Sequence, residues 1–221
     1  MLPNELKFVG GTPISCGEQK EQQMKAVLLT LIATYALSAA LGSPGAVALA
    51  VTTVPTHGVA RVHGQPRANA VVWLTGGPDT ATADAPQPVM DQRTLQFFPQ
   101  VLAVRVGTTV KFPNSDRVFH NIFSFRDGKL FDLGLYPVGA VKYVHFDRPG
   151  VSRLFCNIHP KMAAYVVAVD SPYFATTDEH GAFELSPPPG TYTYNAWRAG
   201  ADLITGTVTV SADRPLVVDW P

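Results

Sequence analysis

The stretch Cys156-Asn157-Ile158-His159-Pro160-Lys161-Met162 sets a thiol, an imidazole and a thioether within seven residues. One reading is ordinary: a buried cysteine, a surface histidine and a core methionine. The other is a metal site, because the loop offers two soft sulfurs and a borderline nitrogen at short intervals. The loop alone does not decide between them. The decision rests on whether a further donor lies upstream, and on whether the chain is of a kind that holds such donors rigidly.

The chain has 221 residues, 46% hydrophobic and 15% charged, with 17 Lys+Arg against 17 Asp+Glu. That supplies a core for one large or two small domains. Zero formal charge lacks the basic excess of a nucleic-acid-binding chain, so no nucleic-acid partner is expected. Gly and Pro number 18 and 19. Beyond residue 50, short Val-, Thr- and Phe-rich runs alternate with Gly, Pro, Asn and Asp, the pattern of an all-β chain.

Residues 24–50, MKAVLLTLIATYALSAALGSPGAVALA, read as a secretory signal peptide: Lys25 is the positive start, Ala26 to Leu41 is apolar, and Ala48-Leu49-Ala50 is a small-x-small cleavage site. Translation is expected to start at Met24, with residues 1–23 an upstream artefact. The rival is a retained anchor, but Gly42-Ser43-Pro44-Gly45 breaks the run before roughly 18 apolar residues accumulate. The expected product is cleaved near Ala50 and is periplasmic or otherwise exported, with no stable membrane insertion after cleavage. Cys16 lies before the signal, which leaves Cys156 as the one thiol of the mature chain. A lone cysteine in an oxidising compartment calls for a reason, and ligation to a metal is one.

Gly58 to Gly76 reads as strand, turn at Gly64-Gln65-Pro66, strand. Residues 77–94 read as a linker. Short strands fill the stretch to Asp170, with turns at Gly107 and at Pro149-Gly150. The tail carries a hairpin at Glu179-His180-Gly181, a Pro-rich turn and further strands.

The missing donor lies in FPNSDRVFHNIFSF, Phe112 to Phe125, where His120 sits in an alternating strand pattern. His120, Cys156, His159 and Met162 form the His₂Cys set with a weak axial methionine that suits copper in an electron-transfer site. Zinc would favour more Cys or His and no thioether. His57, His63, His145 and His180 have no partners at ligand spacing and read as surface or turn residues. No nucleophile motif, paired acid–base set or additional His-x-His pair appears, so an enzyme is not expected.

The order FPN, HN, PG, then C-x-x-H-P-x-M resembles a cupredoxin of the plastocyanin and amicyanin type, over residues 95–170. The resemblance implies a Greek-key β-sandwich holding one copper per chain. It also implies that Asn121 ties the two ligand loops together near the Cys156 sulfur, with Asn114 as a further supporting residue. Finally, it implies that the edge of His159 reaches the surface within an apolar patch. Pro160 and Lys161 would then flank the contact surface for a redox protein partner, and Lys161 would favour an acidic one.

GVARVHGQPRANAVVWL and ATTDEHGAFELSPPPGTYTYNAW resemble the opening and middle of a transthyretin-like, carboxypeptidase-regulatory-like β-sandwich. Residues 51–76 and 171–221 are therefore expected to form one discontinuous sandwich, with the copper unit inserted at a loop. The expected function is single-electron carriage. The alternatives are copper binding or delivery without electron traffic, and an envelope interaction module with a structural copper domain.

Overall fold

The computed structural model describes residues 53–79, 86–211 and 214–221. The expected signal peptide, its expected cleavage site and the middle of the 77–94 segment lie outside those residues. The chain opens with β1 (Thr56–Val62), β2 (Gln65–Pro66) and β3 (Val71–Thr75). Nine strands follow: β4 (Asp91–Arg93), β5 (Gln96–Phe98), β6 (Val101–Arg105), β7 (Thr108–Pro113), β8 (His120–Ser124), β9 (Phe131–Tyr136), β10 (Val141–Phe146), β11 (Gly150–Phe155) and β12 (Ala163–Val169). The chain closes with β13 (Phe174–Thr176), β14 (Ala182–Leu185), β15 (Gly190–Trp197), β16 (Ile204–Val210) and β17 (Leu216–Trp220). The protein is all-β, as its composition implies, and the described residues contain no helix.

Two sheets are built from the chain's outer segments. One runs β14-β1-β17, with β2 folded back on β1, and the other runs β13-β3-β15-β16. Their facing sides enclose Ala60, Val72, Leu74, Phe183, Tyr192 and Trp220. The inner segment forms a five-stranded sheet, β6-β12-β11-β8-β9, which faces the β10-β7 pair. Between them lies a second core of Met90, Phe112, Ile122, Phe146, Leu154 and Val166, which also takes in Cys156 and Met162.

The two sandwiches share a wall. In β3, Val72 and Leu74 point into the outer core, while Val71 joins Val101, Val167 and Val169 in a third cluster, with Trp73, Tyr165 and Trp197 packed against it. Val-Val-Trp-Leu is therefore an unbroken apolar run because both of its faces are covered.

Two expectations need correction. Residues 89–94 are not linker: Val89 bridges to Lys111, Gln92 bridges to Asn114, and Met90 and Gln92 are fully buried. The inner unit thus begins before residue 95. The Gln92 carboxamide donates to Tyr136 Oη and to the Pro113 carbonyl, so its burial rests on partners far along the chain. The turn at Glu179-His180-Gly181 exists, with Gly181 N–H donating to Asp178 O at 3.0 Å. It does not close a hairpin, because β13 pairs with β3 and β14 with β1. The turn instead carries the chain from one sheet to the other. Gly181 has φ +72, and a Cβ there would stand 2.4 Å from the Ala60 carbonyl, so no other residue fits without displacing backbone.

Candidate metal centre

His120 opens β8, and Cys156 directly follows β11. These strands pair at Phe155 and Phe123, which brings the end of β11 alongside β8. The chain then turns through Asn157 to Met162 before entering β12. The Met162 N–H donates to the His159 carbonyl at 2.9 Å, closing the loop on itself.

This folding gathers three donors. Cys156 Sγ lies 3.8 Å from His120 Nδ1 and 3.6 Å from His159 Nδ1, and the two Nδ1 atoms are 3.0 Å apart. Among the described residues one group of three metal-competent side chains forms, and it is this one, with all ligand atoms within 4.8 Å of one another. Metal bonds of about 2.0–2.3 Å to imidazole and thiolate span separations of this size. His120 and Cys156 are buried, and His159 is half-buried. Met162 is fully buried in the cluster that contains Cys156.

The supporting residues have defined work. Asn121 Oδ1 accepts the Asn157 N–H at 3.3 Å, and its Nδ2 donates to Asp132 at 2.8 Å, so β8 is fastened to the residue after Cys156. Asn114 is fully buried but acts further from the sulfur. Its Nδ2 donates to the Val118 carbonyl at 2.9 Å and its Oδ1 accepts the Asp116 N–H at 3.1 Å, shaping the loop that delivers His120.

Asp116 is the residue the sequence reading passed over. Its Oδ2 accepts the Leu95 N–H at 2.7 Å and the His120 Nε2–H at 3.0 Å. The Leu95 amide, more than any other contact, holds the carboxyl below its ordinary range, and the Arg117 amide and His120 act in the same direction. With Nε2 engaged as a donor, the Nδ1 lone pair of His120 is directed toward Cys156 as a ligand requires. An Asp four residues before a ligand His was the available signal, but within NSDR it reads as turn chemistry. Asp116→Ala is expected to weaken metal retention about 10- to 100-fold, measured by competition with a chelator. An unchanged competition curve would leave Asp116 as a loop residue only.

The other histidines stand apart. His57 lies near Glu184, His145 meets Thr109, His180 lies near Glu179, and His63 occupies a tight turn at φ +48.

No family model matches this sequence, and no curated protein matches it. Solved structures do. A purple cupredoxin from Nitrosopumilus maritimus aligns at 26% identity over 37% of this chain and 99% of its own, with a TM-score of 0.35. Amicyanin from Paracoccus versutus aligns at 22% identity over 44% and 97%, with a TM-score of 0.35. A Cu-containing nitrite reductase from Thermus scotoductus aligns at 26% identity over 42% of this chain but 24% of the enzyme, with a TM-score of 0.37.

Proposed function

We propose that this protein is an exported mononuclear copper protein that carries single electrons between redox proteins. His120, Cys156 and His159 would hold one copper, with the Met162 thioether as a further, weaker donor. The observation that carries this reading is the convergence of two imidazole Nδ1 atoms and one cysteine sulfur within 4.8 Å, with Met162 buried in the same core as Cys156. That donor set fits copper better than zinc, whose closed sites use Cys and His without thioether. Bound copper would supply a reversible one-electron couple. The chain's own part is to hold the donors still: Asp116 fixes the ring of His120, and Asn121 fixes the amide after Cys156.

His159 is the half-buried ligand, and the loop beside it exposes Pro160 and Lys161. Electrons enter there in this proposal, from a partner whose acidic surface Lys161 attracts. The flanking sheets, by the resemblance of their turn signals to transthyretin-like sandwiches, serve as a scaffold. The role is carriage rather than catalysis.

The copper-loaded protein should show an intense visible thiolate-to-copper band and a reversible one-electron wave. Stoichiometric copper without colour, or copper that passes readily to a chelator with no reversible wave, would instead make this a copper-handling protein. Exchange with an acidic redox partner should slow as salt rises, since the screening length is about 10 Å at 0.1 M. Lys161→Glu should slow that exchange further while leaving the spectrum unchanged.

A further inference from the structure

A cleft of about 840 Å³ lies between the β4–β5 turn with the segment after it, residues 94–100, and the ligand loop, residues 158–163. The size is that of a small-molecule pocket. Three features of its walls bear on what it could bind.

First, the walls present apolar side chains that the fold leaves uncovered. Leu95, Phe98 and Ile158 are 48%, 60% and 47% exposed. Second, the β4–β5 turn is strained in order to present one of them. Thr94 and Leu95 have φ of +52 and +61, a conformation for which a two-residue hairpin turn ordinarily uses Asn-Gly or Asp-Gly. A β-branched threonine there is an outlier, and such backbone persists only where its surroundings enforce it. Asp116 enforces it by accepting the Leu95 N–H at 2.7 Å. The wall is therefore preformed. Third, among the described residues no carboxylate lines the cleft, whereas Lys161 does, together with the carboxamides of Gln96 and Gln100. Among the described residues, no carboxylate pairs with Lys161. Arg93, stacked on the Phe98 ring at 4.4 Å, adds positive charge nearby, although Asp91 partly offsets it at 3.2 Å.

We propose that this cleft binds a small aromatic anion, of the benzoate class. Its ring packs on Phe98, Leu95 and Ile158, and its carboxylate is met by Lys161 and the carboxamides. His159 forms part of the same wall, so the occupant lies against the exposed edge of that imidazole. Binding requires no metal, and the proposal stands apart from the electron-carrier reading.

The test titrates benzoate into the full chain as isolated, following backbone amide shifts and heat. One saturable site is expected, with shifts concentrated in residues 94–100 and 158–163. Benzamide, which keeps the ring but not the charge, and acetate, which keeps the charge but not the ring, should each bind about tenfold or more weakly. Lys161→Glu and Phe98→Ala should each cost about tenfold. Both positions are exposed, so the variants should fold. Shifts without saturation, shifts outside the cleft, parity of benzamide or acetate with benzoate, or full affinity in Lys161→Glu would each overturn the proposal.

Discussion

Cys156→Ser is expected to abolish the visible absorption of the copper-loaded protein. In the proposed site the Cys156 thiolate would be the charge-transfer donor and the one soft anionic ligand, and a serine hydroxyl is not ionised at neutral pH. The replacement is nearly isosteric and removes no packing volume of consequence from a site that is 3% exposed. The fold should therefore persist with the imidazoles still facing each other, and copper should leave to a chelator far more readily. The contrast with an ordinary core cysteine is measurable. There, burying an unsatisfied hydroxyl costs about 1–3 kcal/mol of stability and nothing else changes. A variant that loses stability by that amount while keeping its colour and its copper would remove Cys156 from the site.

Phe112→Ala is expected to cause the largest loss of stability. Phe112 is fully buried in β7, with the Phe131 ring at 6.1 Å, at the centre of the core that also encloses Cys156 and Met162. Truncating a buried phenylalanine costs about 3–5 kcal/mol through lost transfer energy and the cavity left behind. For a protein of this size that lowers the melting temperature on the order of 10 °C. Because the cavity opens in the core shared with the donors, the metal-loaded form should gain less from its metal than the wild type does. A melting temperature within about 1 °C of wild type would mean that neighbouring side chains collapse into the space completely.

What the sequence made legible follows from locality. Cys156, His159 and Met162 lie in one loop, and His120 lies in an obvious strand, so the candidate donors could be picked out by counting residues, and the structure gathers His120, Cys156 and His159. Turn chemistry was equally local, as at Gly107 and Gly181. Other features depend on partners distant along the chain. Gln92 looks like a linker residue until Tyr136 and the Pro113 carbonyl come beside it. Asp116 looks like a turn residue until the Leu95 amide arrives from another hairpin. The parallel pairings of β1 with β17 and of β6 with β12 join segments with no shared sequence signal. The run Val71 to Leu74 announced a strand but not that each of its faces closes a different core.

That doubly covered strand bears on how portable the inner unit is. An insert hung on a loop tip could be lifted out and grafted elsewhere as a self-contained cartridge. The inner unit here carries a strip of Val101, Val167 and Val169 that β3 of the outer segments conceals with Val71. Cut free, the strip would meet water, and an exposed apolar strip on a sheet invites a second copy to cover it. The two sequence segments that flank the inner unit are thus its lid as well as its tether. A transplant that preserves the donors but omits the lid should yield a soluble monomer only if those three valines are redesigned for solvent.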